Sequence, residues 1–324
     1  MDLADPALAD GVRAGLDRVE ALLHSVVQHD FGLLTEASLH LVDAGGKRFR
    51  ALFTLLSAHF GDPTRDDVIK AAAVIELTHL ATLYHDDVMD EATMRRGAAS
   101  ANARWGNTVA ILTGDFLFAH ASRLGADLGT EAGRLLAETF SQLVTGQLRE
   151  TVGPADGDDP VRHYLTVVAE KTGSLIATCG RFGGMFAGAA PEHVAALERF
   201  GDVIGTAFQI SDDVIDIASP ATESGKTPGT DLREGVLTLP MLYALEEEGP
   251  RGDRLRELLA APITEDALVT EALDLLRAST GLERARETLA GYADRGRAEL
   301  SVLPACPARD ALESLTDYMV ARTH

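Results

Sequence analysis

Cysteine is scarce in this chain. Only Cys179 and Cys306 occur in 324 residues, too few for a disulfide framework and without neighbours at metal-ligand spacing, so both read as buried small hydrophobes in a reducing cytoplasm. Positive charge is also short: 29 Lys and Arg stand against 50 Asp and Glu, a formal net charge of -21, which excludes a broad nucleic-acid-binding surface. Any phosphate site must be local. The N-terminus, MDLADPALAD, lacks the basic and apolar regions of a signal peptide. No apolar run approaches the roughly 18 to 20 residues that span a bilayer, so no transmembrane segment is expected and membrane contact, for product release, would be peripheral. Aromatic residues make up 5% and strand-like alternation is missing, which argues against a sheet-based core.

What the chain does carry is helical periodicity. Apolar residues recur at three and four positions in GVRAGLDRVEALLHSVVQHDFGLL, DDVIKAAAVIELTHLATLYHDDV and TEAGRLLAETFSQLVTGQL, the pattern of helices with one buried face. Gly, Pro and Asp cluster between them, at Ala44 to Arg48, Gly61 to Asp67, Gly153 to Pro160 and Glu246 to Asp253, where helices end and restart. The longest break runs from Ala218 to Gly235, and a loop of that length in a helical protein is more often functional than idle. These features predict an all-α fold: one domain over residues 1–324, a large helical bundle of about ten helices.

Two aspartate clusters stand out. Asp86, Asp87 and Asp90 form a DDxxD pattern, and Asp212, Asp213 and Asp216 form a second within GTAFQISDDVIDIAS. Residues four apart on a helix differ by about 40°, so Asp86 shares a face with Asp90, and Asp212 with Asp216. Both clusters follow apolar runs, where the helix should enter the core. Carboxylates collected there repel one another unless divalent cations neutralise them. Mg2+ suits such a place, since it takes one or two carboxylates, keeps several waters and coordinates substrate phosphates. On the same wheel His79 lies about 20° and Thr82 about 40° from Asp86; Gln209 lies about 60° from Asp212, with Gly201 and Gly205 within about 20°.

A diphosphate held by metal also needs fixed cations. GGKRFR supplies Lys47, Arg48 and Arg50 beside Gly45 and Gly46, just before a helix start that favours phosphate. MRRG places Arg95 and Arg96 shortly after Asp90, EKTG contributes Lys171 and Thr172, and Lys226 stands in the long loop. Several Arg and Lys together can hold two diphosphates rather than one.

Taken in order from Gly45 to Pro240, GGKRFR, LYHDDVMDEATMRRG, GDFLFAHA, EKTGSL, FQISDDVIDI and GKTPGTDLREGVLTLP resemble the trans-isoprenyl diphosphate synthases, also called polyprenyl synthetases. The resemblance implies an all-α fold with a central cavity, usually in a homodimer, and head-to-tail condensation of an allylic diphosphate with isopentenyl diphosphate. By motif, Lys47, Arg50 and His79 would bind isopentenyl diphosphate with help from Arg96. Asp86 and Asp90, with Asp212 and Asp216, would hold Mg2+, three ions in this family, on the allylic diphosphate; Asp87 and Asp213 complete the metal set, Asp87 ranking below its neighbours as a direct ligand because it points about 100° from Asp86. Arg95, Lys171, Thr172, Gln209 and Lys226 would assist there. Thr172 and Gln209 would also face the carbocation. Ala51 replaces a proline found in many relatives, a change at a helix start rather than in the chemistry.

In that family the residues four and five before the first aspartate often floor the product cavity. Here they are Thr82 and Ala81, neither bulky, so the growing chain should pass deeper. A helix of about 20 residues extends roughly 30 Å, room for roughly six to eight isoprene units. The expected product is a long-chain all-trans polyprenyl diphosphate, heptaprenyl to decaprenyl, for a quinone side chain. Phe116, Phe118 or Phe140 would give a lower floor. The alternatives are a shorter-chain synthase making geranylgeranyl or farnesylgeranyl diphosphate, and a non-catalytic or partner-requiring subunit of a heteromeric synthase. A class I terpene cyclase would share the first cluster, but it normally lacks the second DDxxD and GGKRFR.

Overall fold

The computed structural model describes residues 3–218 and 229–323, and these form an all-α fold. Among the described residues there are sixteen α-helices. The estimate of about ten is too low because five of the segments, of five to nine residues, fall below the mean length on which it rests. In chain order they are α1 (Pro6–Val26), α2 (Gly32–Asp43), α3 (Phe49–Ala58), α4 (Asp66–Met89), α5 (Ala101–Trp105), α6 (Asn107–Asp127), α7 (Thr130–Val152) and α8 (Pro160–Val168). They continue as α9 (Ser174–Ala187), α10 (Pro191–Ala218), α11 (Thr230–Glu234), α12 (Leu239–Leu245), α13 (Pro250–Leu258), α14 (Asp266–Arg277), α15 (Thr280–Leu300) and α16 (Pro307–Ala321). A π-helical turn, Ala169–Gly173, joins α8 to α9.

Local chemistry sets several of these starts. Asp5 and Asp159 each cap a helix whose next residue is proline, accepting from Leu8 N at 2.7 Å and from Val161 N at 2.9 Å. Asp66 and Asp67 put negative charge in the first turn of α4, where the helix dipole favours it.

The chain divides into two compact units. One holds the residues up to Ser141, Leu175–Glu198 and Val302–Ala311. Its centre is α4, buried on almost every side through Val68, Val74, Ile75, Leu77, Leu80, Ala81 and Tyr84, as a helix surrounded by others must be. The most extensive partner of α4 is α6. Gly114 permits that approach, because a Cβ there would lie 3.1 Å from the Ala81 carbonyl oxygen and collide with the His85 ring. Between α4 and α5 the chain makes an antiparallel hairpin, β1 (Met94–Arg95) with β2 (Ala98–Ala99). Its two turn residues, Arg96 and Gly97, have φ of 53° and 77°, the double positive φ of a tight hairpin. Strands this short leave no alternation to read.

The other unit holds Gln142–Ser174, Arg199–Ser301 and the chain from Leu312 on. Here α12 packs chiefly on α15, and the second half of α10 buries Ile204, Ala207, Ile210, Val214 and Ile217. The Ser211 hydroxyl donates to the Met319 carbonyl at 3.0 Å, tying α10 to α16. Among the described residues no helix is long and apolar enough to cross a membrane.

Candidate active site

The first aspartate cluster closes α4. Asp86 is half-buried and Asp90, the C-cap, is exposed, its backbone N–H donating to the Asp86 carbonyl at 2.8 Å. Asp87 points elsewhere. Its side chain is 0% exposed, and Oδ1 accepts from Arg95 Nε at 2.6 Å. Burial raises its pKa and Arg95 opposes that shift. Arg95, on the hairpin, also approaches Asp90 Oδ2 at 3.8 Å. One guanidinium therefore bridges the inward carboxylate and an outward one.

Beside this cluster lies a group of cationic side chains built on unusual backbone. Arg48 has φ of 45° at the start of α3. It donates to both Glu20 oxygens at 2.9 Å and to the Val42 carbonyl at 2.9 Å. Arg96 donates to the carbonyls of Leu41 and Gly45 at 2.7 and 2.6 Å, so the hairpin turn pins the glycine loop. Gly46 leaves room for that guanidinium, which would stand 3.1 Å from a Cβ. Arg50 is desolvated, which lowers its pKa against the favourable charges of Glu76 and Asp86, and its Nε has no partner. Lys47 is exposed on the loop.

His79 sits within reach of this positive field. Burial, then Arg50, Arg96, Arg48 and Arg95, lowers its pKa well below the usual histidine value. It is neutral near pH 7 and offers a hydrogen bond rather than a charge. Beneath the group lies Glu76, 1% exposed, which accepts from the Ala51 backbone N–H at 3.0 Å and stands 3.8 Å from Arg48 Nη1.

The second cluster, on α10, divides its work in a parallel way. Asp213 is the buried member: Oδ1 accepts from Gln209 Nε2 at 2.9 Å and Oδ2 accepts a short bond from the Tyr164 hydroxyl. Desolvation pushes its pKa up to about 7 despite both donors. Asp212 and Asp216 are half-buried. Asp212 Oδ1 pairs with Arg322 Nη2 at 2.8 Å. Asp216 accepts from the backbone N–H groups of Thr230 and Asp231, both at 3.3 Å, capping α11. Lys171 and Thr172 stand on the π-helical turn, a distortion frequent at functional sites. Gly146 allows that turn to meet α7, and Lys171 Nζ reaches Glu150 Oε2 at 2.5 Å. Lys226 lies outside the described residues.

Sequence reasoning placed Asp87 and Asp213 in the metal set and Gln209 toward substrate. In the structure Asp87 Oδ1, both oxygens of Asp213 and the Gln209 amide nitrogen are engaged by protein groups. It also missed Glu76, Tyr164 and Arg322. Glu76 carried a legible signal, a lone carboxylate amid AAAVIELTHLA. Ala81 is fully buried, while Thr82 is 8% exposed and donates to the His79 carbonyl at 2.8 Å. Phe118 and Phe140 stack with centroids 3.9 Å apart, and Phe116 meets His120 edge-on.

The described residues thus carry one carboxylate cluster on α4, with arginines and His79 beside it, and a second on α10, the features that the sequence motifs single out. A family model for polyprenyl synthetase matches residues 32–276. The nonaprenyl diphosphate synthase of Mycobacterium tuberculosis is 59% identical over 323 residues, covering 99% of this chain and 96% of that one. The crystal structure of geranylgeranyl pyrophosphate synthase from Corynebacterium glutamicum, complexed with calcium and isoprenyl diphosphate, superposes with a TM-score of 0.91. It is 51% identical and covers 100% of this chain and 99% of that one. A decaprenyl diphosphate synthase from Rhodobacter capsulatus gives a TM-score of 0.90 at 32% identity, covering 98% and 99%. The chain belongs to the polyprenyl synthetase family and is a prenyltransferase.

The donor set fits a hard divalent cation. Asp90 and Asp212 each have a guanidinium close by as a stand-in cation, Arg95 at 3.8 Å and Arg322 at 2.8 Å. Among the described residues no three His, Cys, Asp or Glu side chains converge as a ready-made metal cage.

Proposed function

We propose that the chain is a Mg2+-dependent trans-prenyltransferase that condenses an allylic diphosphate with isopentenyl diphosphate, head to tail, into a long-chain polyprenyl diphosphate of heptaprenyl to decaprenyl length. Asp86, Asp90, Asp212 and Asp216 are the proposed Mg2+ carboxylates, Asp87 and Asp213 being their buried supports. Bound Mg2+, three ions in our reading, would neutralise the allylic diphosphate as it leaves, lowering the barrier to ionising the C–O bond. Lys47, Arg50, Arg96 and neutral His79 hold isopentenyl diphosphate. Arg95, Lys171, Thr172, Gln209 and Lys226 serve the allylic diphosphate. The isopentenyl double bond attacks the allylic cation, and the departing diphosphate takes the proton. No protein nucleophile is required.

The observation that carries the chain length is the small, buried Ala81, with Thr82 beside it, about one helical turn below Asp86. Replacing Ala81 or Thr82 with Phe is expected to shorten the products, read by mass spectrometry after incubation with Mg2+, an allylic primer and isopentenyl diphosphate. If neither substitution shortens them, the chain does not grow past this point. The name of the 59% identical relative supports a long product. A geranylgeranyl product is the second reading, favoured by the name of the 51% identical structure and by the Phe118–Phe140 stack as a lower floor. Pyrophosphate release by the purified chain alone separates both from a subunit that needs a partner.

We also propose a homodimer. On α7, Val144, Leu148 and Val152 are exposed at four-residue spacing along one face, an apolar stripe that suits a partner helix. Sedimentation at micromolar concentration should give twice the chain mass, and Leu148→Glu should lower it. The free cysteines Cys179 and Cys306 suit a cytoplasmic enzyme.

A further inference from the structure

Just past the end of α16, the side chain of Arg322 reaches back to the second aspartate cluster. Arg322, 15% exposed, places Nη2 2.8 Å from Asp212 Oδ1. Its Nε donates to the Ser211 hydroxyl at 2.7 Å, Nη2 donates to the Phe208 carbonyl at 3.2 Å, and the guanidinium lies 4.9 Å from the Phe208 ring centroid. The next residue is fixed as well: the Thr323 carbonyl accepts from Arg286 Nε at 3.0 Å. Four contacts to three residues within about one turn of α10, Phe208, Ser211 and Asp212, are more than a chance surface ion pair supplies.

The carboxylate concerned is half-buried, with the Arg322 guanidinium at ion-pair distance. Negative charge on Asp212 is costly there without a cation close by. We propose that Arg322 is a positioning residue, the resident counter-ion of Asp212 in the metal-free protein, and that Mg2+ entering the second cluster takes its place on Oδ1. The C-terminal helix then sets the Mg2+ concentration at which this cluster fills. The inference rests on the reading of Asp212 as a metal ligand. Two cations compete for one oxygen, so removing the positive charge of Arg322 makes Mg2+ bind more readily, whereas a merely structural Arg322 would leave metal binding unmoved.

The test titrates Mg2+ at fixed inorganic pyrophosphate and follows the melting temperature of the full chain, with no turnover involved. Arg322→Gln is expected to shift the Mg2+ midpoint down by about three- to thirtyfold, the range of a charge-assisted contact. Arg322→Lys, which keeps the charge and loses the fork, should stay within about twofold of wild type on the same scale. A midpoint unmoved in Arg322→Gln, or moved equally in Arg322→Lys, overturns the proposal. Should Arg322→Gln be too unstable to titrate, hydrogen exchange in the wild-type protein decides. The last turn of α16 is expected to exchange faster once Mg2+ and pyrophosphate are added, and an unchanged or slower rate overturns the proposal. If the wild-type protein shows no Mg2+-dependent shift at all, it is the metal reading of the cluster that fails.

Discussion

Asp86→Asn is expected to lower turnover by about a thousandfold while leaving the fold intact. The substitution keeps the shape of the side chain and removes one of the two outward charges of the first cluster, which we propose as Mg2+ ligands. A single electrostatic contact of this kind is worth about 10²- to 10³-fold in turnover when it acts on charge developing as the bond breaks. Asp86 sits at the upper end of that range for a structural reason. Its partners differ from those of Asp87: it lies half-buried on the face shared with Asp90, and its charge favours the protonated form of Arg50. On the proposed reading, losing it weakens metal binding, and it leaves the arginine group less balanced. Asp87→Asn should behave differently. That side chain is buried against Arg95, so the cost should appear first as a lower melting temperature, with a smaller fall in turnover through a misplaced Arg95. Pyrophosphate release at saturating substrate, set beside thermal unfolding, separates the two. Equal turnover losses in both variants would mean that the inward and outward carboxylates share one role.

That distinction shows which parts of the site can be read from sequence. The helical wheel turns Asp87 about 100° from Asp86, and the structure buries it. Helix positions were legible because a period of 3.6 is a property of a contiguous segment, and the carboxylate pairs one turn apart follow from it. Contacts between segments distant in sequence were not. Arg322 reaches Ser211 across 111 positions, and Tyr164 reaches Asp213 across 49; neither MVARTH nor HYLTVV announces such a partner. The π-helical turn under Lys171 is equally silent, since it depends on Gly146 allowing a second helix to come within contact of Lys171 N. The hairpin bearing Arg95 and Arg96 has two residues in each strand, too few for alternation to register. Only the consecutive positive φ of Arg96 and Gly97 explains how MRRG sends one arginine to Asp87 and the other to the Gly45 loop.

The arginine group raises the question of how so much positive charge folds before any anion arrives, and Glu76 answers it. This carboxylate is 1% exposed, holds the Ala51 N–H at the start of α3, stands 3.8 Å from Arg48, and favours the charged forms of Arg50 and Arg96. Glu76→Ala removes the counter-charge and the hydrogen bond together. Breaking a buried charge network from one side costs about 3 to 5 kcal/mol, which lowers the melting temperature by roughly 4 to 7 °C for a chain of 324 residues. Glu76→Gln retains an acceptor for Ala51 and drops only the charge, so its loss should be smaller. An added anion discriminates between the two roles. In the proposed site diphosphate brings negative charge to the same arginines, and with the competing carboxylate gone it should bind more tightly, since ligand stabilisation grows with the logarithm of concentration over Kd. Inorganic pyrophosphate should therefore raise the melting temperature of Glu76→Gln by more than it raises that of the wild-type protein. Equal increments would reduce Glu76 to a backbone cap; a larger one identifies it as the internal anion that keeps the diphosphate site assembled until substrate replaces its charge.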